Sequence, residues 1–498
     1  MKFSVLPTRD QLGIRPGRLF IDGKWRAEGE GRFDQVHPST NEVVATIAEA
    51  GASAVNDAVA AARKAYDKGP WRRMGARERR ILLQRVVSGI VACEEELAQL
   101  LSMDNGLPIQ YSRSSRLSPR NVADVFDHYI GWIDKINGDT YPRYSDADNM
   151  QFMSFREPLG VVAAIAPFNA ILLTFAMKVA PALACGNTVI MKPSELTNLA
   201  SLRLAQIIAE ADLPPGVFSI VTGGPVTGET LSSHPEVDKV SFTGSPAVGE
   251  KILSVSGRNM KRVTLELGGK SAALVFPDAR SVEAAAHGMM GLCSNFLSGQ
   301  VCTTPTRALV HRSVLDEFVH HAQAQVATIR RGSPFEATTT SAPIISKRQL
   351  GRILGYIESG RAEGAKLVFG GDRPLGELSD GNWVDPALFV TDNKTKIARE
   401  EIFGPVLCVI PFDTEEEAIA IANDSEYGLS GGIYTTDLSR AFRVVREVHA
   451  GSIGINGYTA IPSAPMGGVK RSGIGREGGW STIEEFTELK TVMLNLDA

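Results

Sequence analysis

Between residues 161 and 265 the chain alternates short apolar runs with segments of helical pattern, and that alternation leaves few folds open to it. The run Val161-Val162-Ala163-Ala164-Ile165 has the length of a buried strand and is too short for a helix. A helical stretch over 172–184 follows and stops at Gly186. Next come a strand over 188–191, a helix over 199–211, the break Pro214-Pro215-Gly216 and a strand over 217–221. A strand over 237–242, a helix over 246–253 and a strand over 262–265 complete the series. Strands separated by helices of this length specify βαβ units and a parallel sheet. A second series begins at 271–276 and continues through a helix over 281–297 and a strand over 306–310 that extends to 314. It then takes a helix over 349–362, a strand within 402–411, helices over 415–423 and 439–449, and a strand over 452–456. At 498 residues the chain is too long for one core. The expected fold class is α/β, with two parallel-sheet domains.

Outside these series, 18–25 has the pattern of a hairpin turning at Asp22-Gly23, and helices are expected over 52–66, 76–101 and 119–136. Two apolar extended stretches, 149–155 and 490–496, belong to neither sheet. An unpaired strand edge leaves backbone groups unsatisfied and invites another chain, so an oligomer is expected.

A net charge of −4 gives no basic footprint for nucleic acid or an anionic membrane. The five cysteines are odd in number and scattered, with no C-x-x-C pair, which speaks against a disulfide framework or structural zinc and for a reducing compartment. No secretory pattern opens the sequence and no apolar run reaches the length of a membrane span. A cytoplasmic protein is expected. The adjacent pair His320-His321 sits on a helical run and is taken as solvated, with no metal assigned.

Four stretches carry chemistry. In Gly299-Gln300-Val301-Cys302-Thr303-Thr304 a cysteine lies in a Gly-containing turn between helix and strand, where a thiolate nucleophile would have access; as a small buried hydrophobe it would do nothing. In Leu265-Glu266-Leu267-Gly268-Gly269-Lys270 a carboxylate ends an apolar strand, where burial would raise its pKa and let it take a proton from water; facing solvent it would be inert. In Met191-Lys192-Pro193-Ser194-Glu195 a Lys and a Glu follow a strand end, placed either to bind a ribose or to cap the next helix. No G-x-G-x-x-G follows a strand, yet Phe242-Thr243-Gly244-Ser245-Pro246 opens a helix that could take a pyrophosphate on its free N–H groups.

These segments, with Pro167-Phe168-Asn169 and Glu400-Glu401-Ile402-Phe403-Gly404-Pro405, resemble the NAD(P)-dependent aldehyde dehydrogenase superfamily in order and separation. The resemblance extends from the Asp22-Gly23 hairpin to Lys490-Thr491-Val492. It implies two Rossmann-like domains: a cofactor domain from 1–140 and 160–265, a catalytic domain over 266–478, and a β oligomerisation element from 141–159 and 479–498, with dimers or tetramers as products.

By the same resemblance, Cys302 is the nucleophile that makes a thiohemiacetal and then a thioester with an aldehyde. Asn169 holds the oxyanion, Glu266 activates the hydrolytic water, and Lys178 supports the site. NAD, with NADP as an alternative, is expected against Ile165, Ala166, Pro167, Phe168, Lys192, Ser194, Glu195 and Gly228. Phe242, Thr243, Gly244, Ser245, Leu267, Gly268, Glu401 and Phe403 complete that set. An apolar aldehyde is expected among Leu173, Thr174, Met177, Val301, Thr303, Ile461 and Met466, with no Arg for a substrate carboxylate and no aromatic cage for a quaternary ammonium. The sequence departs from the family around Asn169: Phe168 stands where Trp is frequent, and Ala170-Ile171 where Phe-Pro is frequent. The presence of Glu266 favours hydrolysis over acyl transfer to coenzyme A, and the full set Asn169, Glu266 and Cys302 speaks against a catalytically silent relative.

Overall fold

The computed structural model describes residues 6–14, 17–145 and 149–496; the outer ends of the expected domain bounds, and residues 146–148 within them, lie outside that set. An eight-stranded sheet runs in the order Lys24–Arg26, Leu19–Ile21, Phe218–Ile220, Thr188–Lys192, Val161–Ile165, Lys239–Thr243, Arg262–Glu266, Gly473–Ile474. Its five central strands are parallel, and antiparallel strands close both edges. A seven-stranded sheet runs Lys366–Phe369, Ala387–Val390, Val406–Phe412, Arg307–His311, Ala272–Val275, Ser430–Tyr434, Ser452–Ile455, parallel except at its first pair. The apolar runs are strands because helices cover both faces: Val161–Ile165 and Thr188–Lys192 are buried along their whole length.

The first sheet reverses its strand order beside Val161–Ile165. From there the chain builds outward through Thr188–Lys192 and Phe218–Ile220, then returns to the other side with Lys239–Thr243 and Arg262–Glu266. Open α/β sheets bind ligands in the crevice at such a point, outside the carboxyl ends of the strands. The second sheet starts only a few residues after the first ends, since Ala272–Val275 follows Arg262–Glu266 directly. The carboxyl end of one sheet therefore faces the amino end of the other.

Several boundaries differ from expectation for local reasons. The segment 76–101 is two helices, Ala76–Ala92 and Glu94–Asn105, broken at Cys93. Glu94, Glu95 and Glu96 fill the first turn of the second helix, where carboxylates favour a helix start. The helix Val282–Ser294 stops short of 297 because Phe296, Ser298 and Gly299 all have positive φ, and Phe296 is bonded through its backbone to Thr340 and Ala342. Residues 312–314 form a 3-10 turn, so the strand ends at His311. An antiparallel pair, Gly31–Val36 with Val43–Glu49, was not foreseen.

The two stretches without a sheet find each other. Thr487–Asn495 pairs antiparallel with Met150–Pro158 over nine residue pairs, and Thr140–Tyr141 adds a third strand. Its large apolar side chains are not covered: Phe155, Leu489, Met493 and Leu494 are all about half exposed or more.

Candidate active site

Two glycines show how closely the sheets approach. A Cβ on Gly269 would lie 2.7 Å from the backbone oxygen of Cys302, and one on Gly268 would lie 2.2 Å from a carboxylate oxygen of Glu401. Only residues without side chains allow the linker between the sheets to touch both the thiol turn and that carboxylate.

The turn is held by Gln300. Its amide donates to the carbonyls of Leu297 (2.9 Å) and Pro343 (3.0 Å) and accepts from the Ile345 N–H (3.0 Å). Asn169 is buried and donates one amide N–H to the Gln300 carbonyl at 2.8 Å. Asn105 in turn donates to the Asn169 carbonyl at 3.1 Å. The amide is thus fixed beside the turn with a second N–H still to offer. Neither Gln300 nor Asn105 was assigned a role from sequence; Gln300 was visible as a long polar side chain in a Gly turn, whereas nothing marked Asn105.

Cys302 is partly buried. Burial pushes its thiol up to about 12, and the charges of Glu401 and Glu266 push the same way, against hydrogen bonds from the backbone N–H groups of Cys302 and Thr303. The resting environment therefore disfavours the thiolate, the form in which a cysteine is nucleophilic. The same two N–H groups are turned toward the reacting atom.

Glu266 is buried at its strand end, with Oε1 lacking any hydrogen-bond partner. Burial first, and the nearby Glu477 carboxylate second, hold its pKa well above the usual range, opposed by Lys178 and Arg476. Lys178, fully buried, donates to Glu477 at 2.7 Å and to the Ser241 hydroxyl at 3.2 Å. Glu477 was missed. It lies in Gly475-Arg476-Glu477-Gly478, outside any long strand or helix, and its backbone exchanges two hydrogen bonds with Met466. Met466, expected beside the substrate, therefore sits on the segment that carries the second carboxylate.

The crevice at the strand reversal gathers the remaining residues. Ile165, Ala166, Pro167 and Phe168 leave one strand; Phe242, Thr243, Gly244 and Ser245 leave its neighbour, paired in register at Ile165 and Phe242. The helix Pro246–Ser256 begins there without a side-chain cap from Ser245, and the Thr243 hydroxyl is buried without a partner. Lys192 ends the next strand; its Nζ donates to the Pro193 carbonyl at 3.1 Å, and burial lowers its pKa against the charges of Glu195 and Glu49. Gly228 lies against the Lys192 stem. The Ser194 hydroxyl accepts from the Leu196 N–H at 3.2 Å, which turns it toward its own loop. From the opposite sheet, Glu401 accepts from the Gly269 N–H at 3.0 Å, and Phe403 meets Phe168 edge to face at 5.7 Å. Leu267 is buried next to Gly249. An uncapped helix start, an orphaned hydroxyl and two loop carboxylates, Glu195 and Glu401, fit a dinucleotide with a diphosphate and two riboses.

Of the residues expected around an aldehyde, Leu173 and Val301 pack with Leu117 and Leu297. Thr174 is buried and its hydroxyl donates to the Ala170 carbonyl at 2.7 Å. Met177 is buried on the same helix, and Thr303 is anchored through its carbonyl by Ser430 at 3.0 Å. Ile461 is 54% exposed and belongs to the rim. A basic group was missed from sequence: Arg116, half-buried beside Leu117, donates to the Thr459 hydroxyl at 3.3 Å.

Comparison with known proteins gives the family. Residues 25–492 match the family model described as the aldehyde dehydrogenase family. The protein DhaS of Bacillus subtilis (strain 168) is 40% identical over 96% of both chains. The NAD+ complex of an aldehyde dehydrogenase from Bacillus cereus superposes with a TM-score of 0.94 at 36% identity, covering 100% of both chains. A betaine aldehyde dehydrogenase from Staphylococcus aureus in complex with NAD+ gives 0.94 at 34% identity, covering 98% of this chain and 97% of that one. The chain belongs to the aldehyde dehydrogenase family.

Proposed function

We propose that the chain oxidises an aldehyde to a carboxylic acid with NAD, through a thioester on Cys302 that water hydrolyses. The observation that carries this reading is the convergence of a partly buried thiol, a fixed Asn169 amide and a buried Glu266 with one unpartnered oxygen. Sγ of Cys302 attacks the carbonyl carbon as its proton passes to solvent water. The Asn169 amide and the Cys302 N–H receive the developing oxyanion. NAD, held by the crevice residues, supplies the hydride acceptor. Once the thioester has formed, Glu266 takes a proton from water as the water attacks, and the Lys178–Glu477 pair tunes that carboxylate's charge. Release of NADH from a simple aliphatic aldehyde, with and without coenzyme A, tests the reading. Turnover without coenzyme A supports it, an absolute need for coenzyme A would place the chain in the acylating branch, and no NADH at all would mark a silent relative.

The division into a cofactor part (1–140, 160–265), a thiol part (266–478) and a sheet element (141–159, 479–498) follows the same reading, with Gly473–Ile474 returned to the first sheet. Five free cysteines support a reducing, cytoplasmic setting, and among the described residues no helix is long and apolar enough to cross a membrane. Glu195 stands where an adenosine ribose is expected, so kcat/KM for NAD should exceed that for NADP by roughly tenfold or more, an energy difference of about 1.4 kcal/mol. Glu195→Gln should narrow the ratio; equal values in the unaltered enzyme would remove Glu195 from the ribose site.

Apolar walls suit an aldehyde with an apolar body, and Arg116 at their edge disfavours a cation. Betaine aldehyde should therefore turn over with a kcat/KM at least ~10-fold below that of an uncharged aldehyde of similar size. Comparable values would show that Arg116 lies outside the substrate path. The exposed apolar side chains of the sheet Thr487–Asn495 support assembly of subunits through that sheet, as a dimer or tetramer. Removing the residues after Glu488 should lower the mass seen by light scattering and the melting temperature. A mass equal to one 53.5 kDa chain in the intact protein would refute it.

A further inference from the structure

We propose that Glu283, His287 and His321 form a site for a divalent transition-metal ion, outside the active site. Glu283 and His287 stand four residues apart on the helix Val282–Ser294, which puts them on one face. His321 comes from the neighbouring helix Leu315–Val326. Its ring meets that of His287 nearly perpendicularly, with centroids 5.8 Å apart. One ligand-capable atom from each residue lies within 4.8 Å of the other two. Tetrahedral coordination with metal–nitrogen bonds near 2.0–2.1 Å needs these atoms about 3.3 Å apart, which a small rotation of surface side chains provides.

A second observation points to a ligand. Nε2 of His287 is buried and has no hydrogen-bond partner. Buried polar atoms are nearly always satisfied, and an ion bound in this cluster would give the orphan a partner. Two imidazoles and one carboxylate suit zinc, copper(II) or nickel(II) and are poor for magnesium or calcium, which take oxygen ligands. Three protein ligands leave at least one position for water. His320 is exposed, adjoins His321 and does not belong to the set. The ion would clamp the first half of Val282–Ser294 to Leu315–Val326, and the former helix runs on into the turn that carries Cys302.

The test is calorimetric titration of the full-length, chelator-treated protein with Zn2+, in a Cys302→Ala background so that the active-site thiol does not compete. One Zn2+ per chain is expected. His321→Ala and His287→Ala should each weaken it by at least ~10–100-fold, the cost already seen when only the groups behind a ligand are lost. Glu283→Gln, a surface change that leaves the fold intact, should weaken it as well, whereas His320→Ala should not. Titration with Co2+ should give a visible absorption band of low-coordinate cobalt that His321→Ala removes. Undiminished Zn2+ affinity in His321→Ala and Glu283→Gln, or a Co2+ spectrum indistinguishable from the aqueous ion, would overturn the proposal.

Discussion

Cys302→Ser should reduce aldehyde oxidation by at least ~10⁴-fold while leaving NAD binding measurable. The thiol is already hard to ionise in its resting environment, because burial and the charges of Glu401 and Glu266 all oppose the anion. A hydroxyl is intrinsically far less acidic than a thiol, and among the described residues no histidine is hydrogen-bonded to Cys302 to activate it. Without attack there is no tetrahedral carbon to give up a hydride, so neither the first turnover nor later ones occur. The cofactor crevice is built from other strand ends, chiefly those at Ile165, Lys192 and Thr243, so the substitution leaves it intact. Steady-state NADH production and calorimetric NAD binding measure the two effects separately. Turnover near the original rate would move the nucleophile to another residue.

What was legible in the sequence is what depends on local pattern. Apolar runs of four or five residues between helical stretches placed the parallel strands of the first sheet and four strands of the second. Lys366–Phe369, Ala387–Val390 and the Gly-rich Ser430–Tyr434 went unread. Short motifs drew attention to Cys302, Glu266, Lys192 and Glu195. Break points inside continuous patterns were not legible. Apolar spacing runs on through Cys93, where the chain stops one helix and starts another. The pair Gly31–Val36 and Val43–Glu49 alternates irregularly and is half exposed, so no periodicity announced it. Long-range partners were hidden altogether. Glu477 meets Lys178 across 299 residues and Arg116 meets Thr459 across 343, and nothing local in a Gly-rich turn or a Ser/Arg stretch signals such a meeting. The same holds for His287 and His321, whose approach depends on how two helices pack.

Glu266→Gln should release a first equivalent of NADH at near-normal rate and then slow by ~10²–10⁴-fold, the usual cost of losing general-base help. Attack by Cys302 and loss of hydride precede any need for the hydrolytic water, so the amide blocks only the second half of the cycle. The carboxyl's position makes the pH dependence specific. Burial and the Glu477 charge raise its folded pKa well above 4.5, so the basic form that water needs appears only as pH rises through that raised value. Hydrolysis-limited turnover should therefore climb with pH across that window in the unaltered enzyme and lose this rise in Glu266→Gln. Stability carries the opposite sign. The folded carboxyl keeps its proton after an unfolded one, near 4.5, has released it, so stability present at low pH is lost as pH rises toward the folded pKa. The amide cannot ionise, so between pH 4.5 and the raised folded value Glu266→Gln should melt at a temperature less sensitive to rising pH, even as it stalls. Stopped-flow traces across pH, paired with melting curves on both proteins, measure the two trends. A burst followed by unslowed steady-state turnover would show that the water is activated elsewhere.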